Sequence, residues 1–358
     1  MIYTLTALRF VAAVAIYLHH LSYPGGLGTI CVTFFFVMSG FTMAYGYRDK
    51  FVELNKHNLK KFYFKRLLRI YPLYILTFLF SIPIMYYTNF KTSTFYSLIN
   101  ILMLQSYFPN GVQVFSYNGV SWFIADVVLF YMLTPFCMYL LHKYKIKSNM
   151  RFLVALQLSI FFIAAFIAYN FRGKMEPYTF GWWFIYISPF FRLFDYIIGF
   201  LAGIIFTNLK NITFTYIKDR ILFTALEFAS LMFLVYSYHS SFLGFDSLKY
   251  GIYFIPASIF IVFIFSFQKG LVSFIISNKI LIYLGNLSLP IFLIHQLAIS
   301  YTSVFFTASI YGYSHEIKHL ISQLLLFIVI IFLSDVVHRY YEEPVKNNLT
   351  KVKKSISI

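Results

Sequence analysis

The feature that most restricts how this chain can fold is a series of ten apolar runs, each long enough to cross a lipid bilayer. They fall at about residues 5–22, 27–46, 66–87, 119–141, 152–170, 186–207, 220–238, 251–267, 283–306 and 320–341. Only 11% of the residues are charged, whereas soluble domains contain about 25%. Because a backbone in hydrocarbon has to satisfy its own hydrogen bonds, each run is expected to be helical. The sequence therefore predicts an all-α integral membrane protein with about ten transmembrane helices.

An eleventh apolar run, at about residues 95–108, is shorter and contains several polar side chains. If it crossed the membrane, the basic loop at 142–147 would lie outside; if it is re-entrant or interfacial, every strongly basic loop lies on one side. The second arrangement collects 23 of the 29 Lys and Arg residues on that side, in agreement with the positive-inside rule. They are Arg9 and the basic residues of segments 47–69, 142–151, 208–220, 268–282 and 339–358. We therefore predict ten spans, one short re-entrant or interfacial segment and two cytoplasmic termini.

The net charge of +17 follows from this arrangement. Most of the basic residues are expected to set the topology and to attract anionic lipid, so the charge does not predict a nucleic-acid partner. We interpret the chain as one membrane domain over residues 1–345, followed by a short basic cytoplasmic tail at 346–358. The chain start lacks the basic region and cleavage site of a signal peptide, so the first run is expected to be a true span.

Arg9 and His20 lie in the first apolar run, where lipid tolerates neither side chain well. At about 100° per residue, the step of eleven positions from Arg9 to His20 corresponds to about three helical turns, so both project from one face about 16 Å apart. Ionisable groups in such positions usually face a bundle interior and handle a substrate, an ion or a proton. The alternative is that Arg9 reaches the cytoplasmic interface and His20 caps the other end of the helix. We favour a functional site.

Arg66 and Arg69 are spaced i, i+3 and are therefore neighbours at the cytoplasmic mouth of the third span. Paired guanidinium groups suit phosphate, because each offers a rigid fork of donors to anionic oxygens. A nucleotide-like donor such as coenzyme A would fit there. Spacing alone favours the alternative that they are a pair of positive-inside anchors, and the sequence contains no P-loop or G-x-G-x-x-G motif.

Arg192 and Asp195 share the same i, i+3 spacing within a later span. They are predicted to neutralise each other as an ion pair that fixes helix packing. Gly199 and Gly203 continue this segment as a small-xxx-small pair, which favours close approach of another helix.

His295 and Asp126 are further ionisable residues within predicted spans. His295 lies near the middle of the membrane and either lines the same cavity as His20 or is a hydrogen-bonded packing histidine. Asp126 lies near the outer end of its span, within reach of an acid–base site. Cys31 and Cys137 lie in apolar stretches and form neither a disulfide framework nor a metal-ligand pattern, so no metal site is predicted.

Several stretches, taken in order, resemble the acyltransferase-3 family of integral-membrane acyltransferases. They are Leu8-Arg9-Phe10 with His20, Phe35-Phe36-Val37-Met38-Ser39-Gly40-Phe41, Arg66-x-x-Arg69, Trp122 with Phe130-Tyr131 and Pro135, Arg192-Leu193-Phe194-Asp195 with Gly199, Leu284-Gly285-Asn286-Leu287-Ser288, Ile294-His295-Gln296 and Glu342-Glu343-Pro344. One position departs from the family, which often has glutamate shortly after the tryptophan. Here Asp126 stands one position early, about 100° around the helix.

The resemblance implies transfer of an acyl group, commonly acetyl, from cytoplasmic acyl-CoA to a hydroxyl group of a bacterial surface polysaccharide such as O-antigen, capsule or exopolysaccharide. It also implies a multi-pass protein of the bacterial inner membrane, with acyl-CoA as cosubstrate and no tightly bound cofactor. Carried over by position, the family's arginine–histidine pair corresponds to Arg9 and His20, and its paired arginines to Arg66 and Arg69. Trp122, Asp126, Arg192, Asp195 and His295 are candidate supporting residues.

The expected mechanism assigns three roles. Arg66 and Arg69 hold the donor phosphates, and Arg9 binds phosphate or polarises the thioester carbonyl. His20 acts as general base on the acceptor hydroxyl or transiently accepts the acyl group. The competing hypothesis is a transporter or flippase for an anionic or lipid-linked glycan, in which buried Arg and His line a translocation path. Against it, the hydropathy of the two halves shows no inverted repeat.

Overall fold

The computed structural model describes residues 2–21, 26–88, 90, 93–210, 216–240, 246–305 and 317–356, and every regular element in these ranges is helical. The first half contains α1 (Tyr3–His20), α2 (Leu27–Tyr47), α3 (Lys56–Tyr87), α4 (Thr94–Ile101), α5 (Gly111–Val114), α6 (Trp122–Lys143), α7 (Met150–Asn170) and α8 (Phe180–Trp182). The second half contains α9 (Pro189–Leu209), α10 (Tyr216–His239), α11 (Asp246–Gly251), α12 (Ile255–Ser266), α13 (Leu271–Ile276), α14 (Lys279–Asn286), α15 (Ser288–Phe305), α16 (Ile317–Val337) and α17 (Glu343–Ile356).

Nine helical segments within the described ranges are long and apolar enough to cross a membrane, and each overlaps one of the predicted runs. The chain is therefore an all-helical, multi-pass membrane protein. The remaining predicted run, the first in the chain, corresponds to α1, which is 18 residues long and contains Arg9, His19 and His20. These three side chains lower its hydropathy, so the crossing of the membrane by α1 stays a prediction, as do the total of ten and the orientation of the termini.

The eleventh apolar run forms only short helices. The eight residues of α4 extend about 12 Å, well short of the roughly 30 Å of the hydrocarbon core. The segment packs against α3, where the Tyr74 hydroxyl donates to the Asn100 carbonyl at 2.6 Å. The buried Gln105 amide donates to Tyr74 Oη at 3.2 Å and to Ser121 Oγ at 3.1 Å. The predicted non-spanning segment thus agrees with the observed structure.

Helices α2 and α9 pack most closely at the centre of the bundle. Ser188 and Pro189 set the start of α9, with the Ser188 hydroxyl accepting the Phe190 N–H at 3.3 Å. A Cβ atom added to Gly199 would lie 2.0 Å from the Val37 carbonyl oxygen, and one added to Gly203 would lie 2.6 Å from that of Phe41. The prediction of close helix approach at this glycine pair is confirmed.

Replacing Gly199 with alanine is expected to destabilise the fold by several kcal/mol, because the new methyl group overlaps the α2 backbone and forces the helices apart. Gly46 is a matched control on α2, since a Cβ atom there meets nothing within 4 Å. Gly46→Ala should be neutral or stabilising by up to about 1 kcal/mol. Thermal unfolding in detergent measures both variants, and equal melting temperatures would contradict the packing assignment.

The basic loops that the charge distribution assigns to one side of the membrane follow α2, α6 and α9, and the described ends of these helices contact one another. Arg48 donates to the Thr207 carbonyl at 2.8 Å and to Asn208 Oδ1 at 2.7 Å. His142 Nε2 donates to the Arg48 carbonyl at 2.9 Å, and Asn208 donates to that of Lys147 at 2.8 Å. The ends of α2, α6 and α9 therefore lie at the same end of the bundle, which we call the basic end.

The segment predicted as a cytoplasmic tail continues the last spanning helix. After α16, residues His338–Glu342 form a turn of π-helix, which leads directly into α17. Pro344 follows this turn, and because proline lacks an N–H, it interrupts the regular hydrogen-bond ladder. Residues 357–358 of the predicted tail lie outside the described residues.

Candidate functional site

Three arginines line one cavity inside the bundle. Arg9 reaches it from α1, and Arg66 and Arg69 reach it from α3. The cavity has a volume of about 250 Å³. Its other lining residues come from α2, α3, α6 and α15 and are Phe35, Met38, Ser39, Thr42, Met43, Ile70, Phe123, Ile124, Val127, Tyr131, Ser288, Leu289 and Phe292. Four of the stretches that resemble the family, on α2, α3, α6 and α15, thus line the same cavity as Arg9 of α1.

The charge in this cavity is uncompensated among the described residues that line it, because none of them is acidic. Arg9 lies close enough to Arg66 and Arg69 for the three positive charges to repel one another. Like charges held together in a partly desolvated site are unfavourable unless an anion is bound. The arrangement is therefore suited to a ligand with several negative charges, such as a polyphosphate.

Arg66 is held by aromatic rings. Its guanidinium carbon lies 5.0 Å from the ring centroid of Tyr47, 5.6 Å from Phe62 and 5.3 Å from Tyr131. These cation–π contacts orient the side chain without using its N–H donors, and its buried Nε makes no hydrogen bond to the described residues. Tyr131 was not among the predicted site residues, although it stands in one of the stretches that resemble the family.

Aromatic side chains link the far end of the cavity to a pair of histidines. The Phe123 and Phe292 rings both line the cavity, with centroids 5.2 Å apart, and Phe292 lies 5.9 Å from the ring of His295. The rings of His295 and His20 are in turn 5.1 Å apart. The structure therefore brings His20 and His295 together, as the first of the two alternatives for His295 requires.

The hydrogen bonding of His295 fixes its tautomer. Its Nδ1 lies 3.2 Å from the Ile291 carbonyl oxygen, which can only accept, so Nδ1 carries the proton. In the neutral ring Nε2 is then an acceptor, and it is buried without a hydrogen bond to the described residues. His20 is half-buried beside it. His19, by contrast, packs against Gly28 at the start of α2.

Arg192 and Asp195 form the predicted ion pair, with Arg192 Nη1 3.0 Å from Asp195 Oδ2 and both side chains fully buried. Arg192 also donates to the carbonyls of Tyr186 and Tyr250, each at 2.8 Å. It thereby joins α9 to the π-helical turn at Trp183–Ile187 and to α11. The pair does not line the arginine cavity, and its contacts are those of a packing element.

Asp126 belongs to the surroundings of this ion pair. It is fully buried, lies beside the Ser106 hydroxyl and is within electrostatic range of Arg192 and Asp195. Neither carboxylate oxygen makes a hydrogen bond of good geometry to the described residues. Burial, together with the nearby Asp126 carboxyl group, raises the pKa of Tyr107 to about 12, so that phenol stays neutral.

Trp122 packs between two aromatic rings, 6.3 Å from the centroid of Phe123 and 5.7 Å from that of Tyr186. Like Asp126, it is absent from the lining of the arginine cavity. Its contacts instead join the cavity wall at Phe123 to the region of the buried ion pair.

Comparisons with known proteins agree with this architecture. Residues 2–339 match the family model Acyl_transf_3, described as an acyltransferase domain. Among curated proteins, acyltransferase MdmB of Streptomyces mycarofaciens is 24% identical over 227 residues, which cover 56% of this chain and 57% of that relative. The match therefore spans little more than half of either protein. No solved structure matches the chain. Because the family model covers nearly all of the sequence, the chain belongs to the acyltransferase-3 family.

Proposed function

We propose that this protein is a membrane O-acyltransferase that moves acetyl from cytoplasmic acetyl-CoA to a hydroxyl group of a bacterial surface polysaccharide. It acts in the inner membrane, with its basic end in the cytoplasm. Acyl-CoA and the glycan are its substrates, and it needs no tightly bound cofactor. Family membership supports acyl transfer, and the donor, the acceptor and the residue roles below are parts of the proposal.

The observation that carries the proposal is the cavity shared by Arg9, Arg66 and Arg69. Coenzyme A carries a pyrophosphate and a 3′-phosphate, so it supplies the several negative charges that three clustered guanidinium groups favour. Since Arg9 lies beside the other two arginines, we assign it to the donor phosphates rather than to the thioester carbonyl. The serine and threonine hydroxyls of Ser39 and Thr42 add neutral hydrogen-bonding groups to the same wall.

The separation along α1 supports a division of labour between its two ends. Arg9 and His20 are about 16 Å apart along the helix axis, a length of the order of an extended pantetheine arm. With its phosphates at the arginines, the donor directs its thioester past Phe123 and Phe292 towards His20. His20 takes the proton of the acceptor hydroxyl, whose oxygen attacks the thioester carbon. The carbon–sulfur bond then breaks, and coenzyme A leaves as the thiol after protonation.

The test uses membranes that contain the full chain, acetyl-CoA labelled in the acetyl group and glycan from the host. We expect label in an alkali-labile ester on the glycan, at a level absent from membranes without the protein. Unlabelled acetyl-CoA should compete, whereas free acetate should not. Membranes that neither bind acetyl-CoA nor transfer label would contradict the proposal and would favour the transporter hypothesis.

His295 is assigned as a positioning residue for His20. Because its Nδ1–H is committed to the Ile291 carbonyl, its Nε2 is available to accept an N–H from the His20 ring and to fix the His20 tautomer. His295→Asn keeps a donor near Nδ1 but removes Nε2. It should lower kcat about tenfold, corresponding to one hydrogen bond, with the KM for acetyl-CoA unchanged.

The conservative variant His295→Gln tests this assignment, because its amide reaches the position of Nε2. It should recover part of the turnover that His295→Asn loses. Equal kcat values for His295→Asn and the wild type would contradict a positioning role and leave His295 as a packing residue.

A further inference from the structure

A second cavity lies between α3 and α6, on the far side of Arg66 from the arginine cavity. Its volume is about 680 Å³, and apolar side chains make up nearly all of its surface, among them Phe64, Leu67, Leu129 and Leu133. Arg66, Ile70 and Tyr131 line both cavities and so form the wall between them. We call this second cavity the α3–α6 groove.

The rim of the groove is exposed at the lipid-facing surface of the bundle. Leu67, Met132 and Phe136 are 49%, 53% and 44% exposed, respectively. The Tyr63 hydroxyl, which also lines the groove, donates to the Met132 carbonyl at 2.9 Å and so already has an acceptor within the protein. The groove is therefore an apolar recess that opens towards hydrocarbon, and most of its lining side chains have no polar group that a ligand would need to satisfy.

Both basic residues in the described lining of the groove lie on α3. Lys60 lies at the end nearer the start of α3, and Arg66 follows less than two turns later. From Lys60 to Ile70 the groove follows α3 for about 15 Å, and no acidic residue is among its described lining residues. An occupant with a negative group next to a long apolar chain matches this pattern of charge and hydropathy.

A basic residue directly beside a long apolar groove distinguishes between two classes of phosphate-containing ligand, acyl-CoA and phospholipid. In acyl-CoA the long pantetheine arm separates the phosphates from the acyl chain. If Arg66 holds the phosphates, the acyl chain of the same molecule therefore lies too far away to enter the groove beside Arg66. In a phospholipid only the glycerol unit stands between phosphate and chain. We propose that the α3–α6 groove binds one acyl chain of an anionic phospholipid, with the headgroup phosphate at Lys60. The site is independent of the proposed acyl transfer.

Native mass spectrometry of the full chain, purified in detergent, tests the proposal. Phosphatidylglycerol and phosphatidylcholine with identical acyl chains serve as the two probes. We expect the wild type to retain phosphatidylglycerol about fivefold more strongly, because a basic residue near a membrane surface attracts anionic lipid to about that extent. Lys60→Gln should remove this preference, and Leu133→Trp should lower retention of both lipids because the larger ring fills the groove.

Two matched variants control for general effects. Lys279→Gln removes an exposed lysine at the start of α14, and Leu158→Trp enlarges a side chain on α7 that is 52% exposed, outside the groove. Both should retain lipid as the wild type does. Equal retention of the two lipids by the wild type, or an unchanged preference in Lys60→Gln, overturns the proposal. Because Lys60 is exposed, that variant decides the matter even if Leu133→Trp does not fold.

Discussion

Replacing His20 with alanine is expected to lower acyl transfer by about 100-fold or more, while acetyl-CoA binding stays largely unchanged. General-base catalysis by a positioned side chain contributes a factor of this size. Donor binding should survive because the arginine cavity is lined by Arg9, Arg66 and Arg69 and does not include His20. Transfer of labelled acetyl and equilibrium binding of acetyl-CoA, measured on the same membranes, separate the two effects.

His19 offers a matched control one residue away. It is also a half-buried histidine on α1, but its ring packs against Gly28 rather than beside His295. His19→Ala should therefore alter stability more than turnover, and its transfer activity should stay within a few-fold of the wild type. If His20→Ala retained transfer, or if both variants lost it equally, His20 could not be the base.

The residues of α1 illustrate what sequence can predict about this site. An ionisable side chain in an apolar run is unfavourable in lipid, so Arg9 and His20 stand out without any structure. Helical periodicity then places them on one face at a known separation. Local spacing was equally informative for Arg192 with Asp195 and for Gly199 with Gly203, because partners three or four residues apart meet on a helix surface.

Contacts between distant segments could not be predicted in this way. Phe62 lies one turn before Arg66 on α3, but Tyr47 on α2 and Tyr131 on α6 contact Arg66 from other helices. In sequence these two tyrosines are indistinguishable from the many lipid-facing aromatic residues. Similarly, the Tyr250 carbonyl that accepts from Arg192 is 58 residues away. Such partners are selected by tertiary packing, for which one sequence carries no periodic signal. His20 and His295 could be proposed to share a cavity, but only the structure brings their rings together.

Arg9→Met is expected to raise the dissociation constant for acetyl-CoA by about tenfold or more. Methionine fills a similar apolar volume but removes one of the three positive charges in the cavity. A charge-assisted hydrogen bond contributes about 1.5–3 kcal/mol, and 1.4 kcal/mol corresponds to a factor of ten. The like-charge repulsion that Arg66 and Arg69 exert on Arg9 is relieved in the free protein, which also lowers the advantage of binding an anion.

The same variant distinguishes the two roles that the sequence left open for Arg9. If Arg9 binds donor phosphate, the KM for acetyl-CoA and the dissociation constant for coenzyme A both rise in Arg9→Met. If Arg9 instead polarises the thioester, kcat falls while affinity for coenzyme A is unchanged. Lys143→Gln is the control, since Lys143 ends α6 and lies outside the cavity. An unchanged affinity for coenzyme A in Arg9→Met would refute the phosphate assignment, because the loss of one of three clustered positive charges has to weaken the binding of a polyanion held by them.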